Sequence, residues 1–157
     1  EDSDMLKNGT QAPEFKLQDQ DGKAHTLASL RKDGPLILYF YPADFTPGCT
    51  KEACSFRDLQ SDLLRANLRV VGVSPQSSES HRRFADKHGL NFTLLADPDK
   101  VAVKAYDLDG PLGLGVRRGT YLIGGDGKIL DGVLADLRIG AHEAFVRQAI
   151  AAGATNK

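Results

Sequence analysis

The chain of 157 residues predicts an α/β fold. Three observations carry that expectation. Residues 36–41 (Leu-Ile-Leu-Tyr-Phe-Tyr) form a continuous apolar run, as required of a strand covered on both faces. Residues 68–73 (Leu-Arg-Val-Val-Gly-Val) form a second strand-like run, and a helical pattern over 49–66 lies between the two. Strand, helix and strand in that order imply a right-handed parallel crossover.

The other elements follow in order. Phe15 and Leu17 alternate with polar residues, Asp21-Gly22 signals a hairpin turn, and 24–27 pairs back. After the second core strand, Ser77 or Ser78 caps a helix that runs to His88, and Gly89 stops it. Residues 92–95 read as a short strand. Asp97-Pro98 supplies an N-cap and a first-turn proline for a helix through Tyr106. Residues 107–116 are a Gly- and Pro-rich loop. Residues 120–123 and 128–134 form a hairpin around Gly124-Gly125-Asp126-Gly127. A final amphipathic helix over 141–152 turns Phe145, Val146, Ala149 and Ile150 inward. No internal repeat, linker or second domain is discernible, so one domain over 1–157 is expected.

Composition narrows the function. The net charge is −1 and the basic residues are scattered, which argues against nucleic acid as a main partner. No apolar run approaches the ~20 residues of a membrane span. Two cysteines in this length are not a disulfide framework and fit catalytic thiols in a reducing compartment. No secretory signal is expected. Met5, the single methionine, reads as a native initiator preceded by an added leader at residues 1–4. The alternative is a mature chain after removal of an organelle transit peptide. The expected location is accordingly the cytoplasm, or else an organelle stroma or lumen.

Both cysteines fall in one stretch, Pro42-Ala43-Asp44-Phe45-Thr46-Pro47-Gly48-Cys49-Thr50-Lys51-Glu52-Ala53-Cys54. Cys49 stands where a buried strand gives way to a helix. The unpaired N–H groups of a helix start favour an anion, and so favour thiolate over thiol. At ~100° per residue Ala53, Phe56, Leu63 and Leu64 lie within about 60° of Cys49, which puts Cys49 on the inward face. Gln60 shares that face without an evident reason. Cys54 lies about 140° round, and in an intact helix the two Cα atoms are ~8.7 Å apart. A disulfide tolerates at most ~7 Å. If Cys49 and Cys54 pair, the first turns of the helix must unwind, an order–disorder switch driven by redox state.

Thr46 is expected beside Cys49, its hydroxyl able to donate to the thiolate or accept from the thiol, though a plain turn residue reads equally from the sequence. Pro42 has no N–H, ends the strand and shapes the pocket. Arg117 and Arg118 are adjacent, so only one can face Cys49. Glu52 is either an orienting partner for that arginine or a favourable first-turn acid. Tyr41 reads as core or pocket wall. A zinc site is disfavoured, because Cys49, Cys54, His81 and His88 lack a third cysteine and the histidines read as a half-buried helix face. Gly113-Leu114-Gly115 reads as a loop near the active site rather than a nucleotide loop.

These residues resemble a peroxiredoxin. Pro42, Thr46 and Cys49 match the family pattern of Pro, three residues, Thr or Ser, two residues, Cys, and Glu52 adds its frequent acid. A second cysteine five positions on resembles the Q type, or bacterioferritin comigratory protein. The resemblance runs from about Ala12-Pro13-Glu14-Phe15 to the last helix near Ile150. It implies a thioredoxin-like α/β fold with an added N-terminal hairpin, a central mixed sheet and flanking helices. It also implies that Arg118, with Gly119-Thr120 behind it, is the activating arginine. By the same resemblance Cys49 is the peroxidatic cysteine, Cys54 resolves its sulfenic acid as an intramolecular disulfide, and an external dithiol such as thioredoxin restores both. Hydrogen peroxide and organic hydroperoxides are the implied substrates, in antioxidant defence, with no cofactor and no metal. Resolution within one chain makes a monomer the expectation, with a dimer open.

Two other classes are weighed. A thiol–disulfide oxidoreductase would exchange quickly with disulfides and react slowly with peroxide, and Thr46 in the first position of Thr46-Pro47-Gly48-Cys49 speaks against it. A binding module with buried structural thiols would resist peroxide, and the placement of Cys49 speaks against that.

Overall fold

The computed structural model describes residues 5–155. The leader suggested at residues 1–4 lies outside the described residues. Seven strands form one sheet: β1 (Lys16–Asp19), β2 (Ala24–Thr26), β3 (Leu36–Phe40), β4 (Arg69–Ser74), β5 (Thr93–Ala96), β6 (Gly119–Ile123) and β7 (Ile129–Leu134). Their order across the sheet is β2-β1-β5-β4-β3-β6-β7. Strands β3, β4 and β5 run parallel, and β6 and β1 flank them antiparallel. The expected crossover, hairpin and mixed sheet are therefore present. The helices are α1 (Leu27–Leu30), α2 (Pro47–Asp58), α3 (Gln60–Arg65), α4 (Ser78–His88), α5 (Val101–Ala105) and α6 (Gly140–Thr155).

Strand β3 shows why both faces must be apolar. Its side chains alternate between two cores. Leu36, Leu38 and Phe40 join Phe15, Val71, Tyr106 and Tyr121 on the face covered by α1 and α5. Ile37 and Tyr39, with Tyr41 just beyond, join Phe56, Leu63, Phe84 and Val146 on the face covered by α2, α3, α4 and α6. Gly72 sits opposite Tyr39 in β4, and a Cβ there would lie 2.9 Å from the Tyr39 ring, so only glycine lets the ring cross. Phe56, projecting from α2 edge-on against the Tyr39 ring and fully buried, is of the kind whose truncation to alanine costs about 3–5 kcal/mol.

Three expectations need correction. The helix expected over 49–66 starts at Pro47 and breaks at Leu59, where the backbone turns to φ −90° and ψ 0°. With Glu52 and Leu59 buried as well, the inward stripe is centred away from Leu64, which is 74% exposed. Gln60 lies at the same margin, half-buried, its amide donating to the Phe56 carbonyl at 3.3 Å. The helix expected from Asp97-Pro98 begins at Val101 instead, because Lys100 takes a left-handed conformation (φ 57°). Asp97 still serves its start, accepting from the N–H groups of Val101 and Val103 at 2.9 and 2.8 Å. His81 is not half-buried but wholly enclosed. The short helix α1, capped by a reciprocal Thr26–Ser29 pair, was not anticipated.

Candidate active site

Strand β3 delivers the chain to Tyr41, whose N–H still bonds the Val73 carbonyl at 3.1 Å. Pro42 cannot continue that ladder. The chain turns through 43–46 and enters α2 at Pro47, a first-turn position where a missing N–H costs nothing. Cys49 lies in that first turn, 2% exposed. Cys54 is half-buried further along the same unbroken helix, and both thiols are free. The helical separation of ~8.7 Å keeps them apart in this state.

Strand β6 crosses next to β3, with Gly119 opposite Phe40. Arg118, just before β6, therefore reaches the start of α2. Its Nη1 lies 3.2 Å from Cys49 Sγ and donates to Glu52 Oε1 at 3.0 Å. Arg117 turns the other way and pairs with Asp136 at 2.8 Å. The structure thus brings together Cys49, Arg118 and Glu52, with Pro42 at the rim. Thr46 departs from expectation: its exposed hydroxyl donates to the Ala43 carbonyl at 3.1 Å and makes no hydrogen bond to the sulfur. Tyr41 is buried and donates to Asp44 at 2.7 Å.

The electrostatics come from burial. Glu52 is 1% exposed, and that burial pushes its carboxyl up to about 7 although Arg118 pulls it back. Burial acts to lower the Arg118 pKa, but the negative charges of Glu52 and Cys49 more than offset it and hold the guanidinium firmly protonated. Glu52 Oε2 has no hydrogen-bond partner among the described residues and lies 3.8 Å from His142 Nδ1. The His142 ring lies 2.8 Å from the Thr120 hydroxyl, with Nε2 2.9 Å from the Ala135 carbonyl, and its enclosure depresses its pKa. His142 escaped the sequence reading because nothing in its local pattern marks it. His81 reads from the sequence only as a half-buried helix face, and its pairing with Asp44 at 2.7 Å behind the turn has no local signal either.

Outside Arg118, an open groove of about 540 Å³ is lined by Pro42, Leu114, Val116, Arg117 and Asp136. The loop around Gly113-Leu114-Gly115 is thus at the site, as expected. Among the described residues no group of three or more His, Cys, Asp and Glu side chains is arranged to hold a metal ion.

A free thiol at a helix start, met by a buried arginine from the neighbouring strand of a mixed sheet, defines a thiol enzyme of thioredoxin-like fold. Comparison with known proteins narrows the class. Residues 8–131 match the AhpC/TSA family. The chloroplastic peroxiredoxin Q of Sedum lineare is 43% identical over 125 residues, which are 79% of this chain and 67% of that protein. The crystal structure of peroxidoxin BcpB from Mycobacterium tuberculosis superposes with a TM-score of 0.87 at 34% identity, covering 97% of this chain and 99% of that one. A bacterioferritin comigratory protein from Xanthomonas campestris, solved in a study of its alkyl peroxide reduction activity, gives a TM-score of 0.82 at 29% identity over 89% and 92%. The chain belongs to the AhpC/TSA family, as a peroxiredoxin of the Q type, and is a thiol peroxidase.

Proposed function

We propose that this peroxidase reduces hydrogen peroxide and organic hydroperoxides through Cys49, with Cys54 resolving the product within the same chain. The thiolate of Cys49 attacks one oxygen of R–O–O–H. The O–O bond breaks, an S–O bond forms, and the leaving oxygen takes a proton to depart as water or alcohol. The cysteine is oxidised by two electrons to a sulfenic acid. Attack by the Cys54 thiolate then releases water and leaves a Cys49–Cys54 disulfide. An external dithiol, most simply a thioredoxin, returns both thiols and is itself oxidised to a disulfide.

The observation that carries this reading is the single nitrogen of Arg118 placed 3.2 Å from Cys49 Sγ. A guanidinium there stabilises the thiolate and the charge that develops on the departing oxygen. Glu52 holds that guanidinium in place. Pro42 walls the site, and the Thr46 hydroxyl can swing from Ala43 to a bound peroxide. The apolar groove beside Pro42 suits an alkyl group, and the alkyl peroxide activity named for the Xanthomonas campestris neighbour supports that substrate. Intrachain resolution lets a monomer of one domain complete the cycle, and two free thiols suit a reducing compartment, cytoplasmic or stromal.

Peroxide titration of three proteins tests the reading. One equivalent should remove both thiols of the wild type with a mass loss of two hydrogens and no crosslinked dimer. Cys49→Ser should be inert. Cys54→Ser should react once and stop at the sulfenic acid or over-oxidise. A wild type that keeps both thiols after oxidant treatment overturns it.

A further inference from the structure

The turn that presents Cys49 is fastened from behind by a buried network. Asp44 is enclosed, and its carboxylate accepts from three donors: the Tyr41 hydroxyl at 2.7 Å, the Ser80 hydroxyl at 2.7 Å and His81 Nδ1 at 2.7 Å. The Tyr41 oxygen also lies 3.4 Å from His81 Nδ1. The other ring nitrogen, His81 Nε2, is 3.0 Å from the Leu95 carbonyl at the far side. Both ring nitrogens thus face an oxygen acceptor, and the pair is a buried histidine–carboxylate bridge. Burial acts to raise the Asp44 pKa, but the bonds from His81, Tyr41 and Ser80 outweigh it and hold the carboxyl below its ordinary range.

The next residue is fastened too. Phe45 adopts φ 68°, a left-handed conformation that is unfavourable for a bulky residue. Its ring packs edge-on against Phe84 of α4 at 5.2 Å. Asp44 and Phe45 are therefore both bound to α4, while the next two residues, Thr46 and Pro47, are exposed. Thr46 gives α2 no side-chain cap, and the first turn carries no acid.

We infer that His81 and Asp44 are positioning residues: a fixed post on α4 that sets where α2 begins, so that redox-linked unwinding is confined to residues after Phe45 and Cys49 returns to Arg118 in register. The inference rests on the Cys49–Cys54 reading, since only that chemistry requires α2 to open. Breaking the bridge should therefore blur the start of α2 in the reduced protein and misplace the sulfur relative to Arg118. A small displacement of this kind is enough to slow a reaction that depends on alignment.

The test uses His81→Ala and Asp44→Asn, each in the wild type and with Cys54→Ser. Two quantities are read: the stopped-flow rate of Cys49 oxidation by hydrogen peroxide, and amide hydrogen exchange of the reduced protein. His81→Ala should slow oxidation roughly tenfold and speed exchange across residues 45–50 by a similar factor, with β3 and β4 amides unchanged. Asp44→Asn keeps the shape and can still bond Tyr41 and Ser80, so it should give an intermediate effect. It also serves as the readout if His81→Ala does not fold. Wild-type oxidation and exchange in the variant overturn the inference, as does exchange that rises equally in β3 and β4. A wild type that reacts with peroxide but forms no Cys49–Cys54 disulfide overturns the underlying reading instead, and the exchange data still judge the post.

Discussion

Helices α2 and α4 cover the same face of the sheet, differ by one residue in length, and end in opposite ways. Helix α4 is closed at both ends. The Ser77 hydroxyl accepts from the Ser80 N–H, Glu79 complements the dipole at the start, Lys87 and His88 do so at the end, and Gly89 takes the left-handed cap at φ 61°. Helix α2 has neither a side-chain cap nor an acid in its first turn, and it breaks at Leu59. The open helix carries both thiols and the closed one carries none. The orphan N–H groups that a cap would occupy are left for an anion, whether the sulfur or an incoming peroxide oxygen. A weak helix end is thus the form in which reactivity is built, and the neighbouring helix supplies the firmness that end lacks.

The contrast can be broken or sharpened by four measurements. The largest effect should come from removing the charge that loads the open end. Arg118→Ala should lower the rate constant of Cys49 with peroxide by about 10²–10³-fold, measured by stopped flow, since one aimed donor at a reacting oxygen is worth that much. A loss under threefold would mean that the helix start alone activates the sulfur.

Next comes the acid buried beneath it. Glu52 titrates near 7 in the folded protein against 4.5 as its ordinary value. The native state therefore binds more protons than the unfolded one between those values. Its share of stability is full below about pH 4.5 and lost as pH rises through about 7, a change of about 3 kcal/mol. Urea unfolding at pH 5 and pH 8 should show that decline in the wild type and a much flatter profile in Glu52→Gln.

Oxidation should then separate the two helices directly. After one equivalent of peroxide, amides of Pro47–Asp58 should lose protection by about tenfold to a hundredfold while Ser78–His88 keep theirs. Cys54→Ser should abolish the loss. Equal loosening of both helices would erase the contrast. The smallest effect belongs to the closed end: Ser77→Ala removes one cap and should cost about 1 kcal/mol of unfolding free energy.

Much of this site was legible because its signals are local. An apolar run ending at Pro42, a cysteine at a helix start and an arginine two residues before a threonine are all short-range patterns. Strand alternation requires only that one of Arg117 and Arg118 face Cys49; the family resemblance, through Arg118-Gly119-Thr120, points to Arg118, and that side chain does reach the sulfur. The remainder is long-range. His81 meets Asp44 from 37 residues away and His142 meets Thr120 from 22, and no periodicity announces either pairing. The direction of the Thr46 hydroxyl is a rotamer choice within the turn, which residue type does not fix. The break at Leu59 was hidden because the apolar spacing continues through it, with Leu59 and Leu63 both buried. The late start of α5 was hidden because left-handed Lys100 is not a residue expected to take that conformation.

That interruption at Leu59 has a mechanical result. Helical order is cooperative, so a ladder running unbroken into the next segment would resist fraying along its whole length and would transmit any loosening when it gave way. Dividing it leaves a short cartridge that can be emptied and refilled while Leu63 stays seated between β4 and α6. If Cys49 and Cys54 pair as proposed, oxidation would show as a change at one spot on the molecular exterior, and a reductant would need to touch only that spot to tell spent protein from fresh.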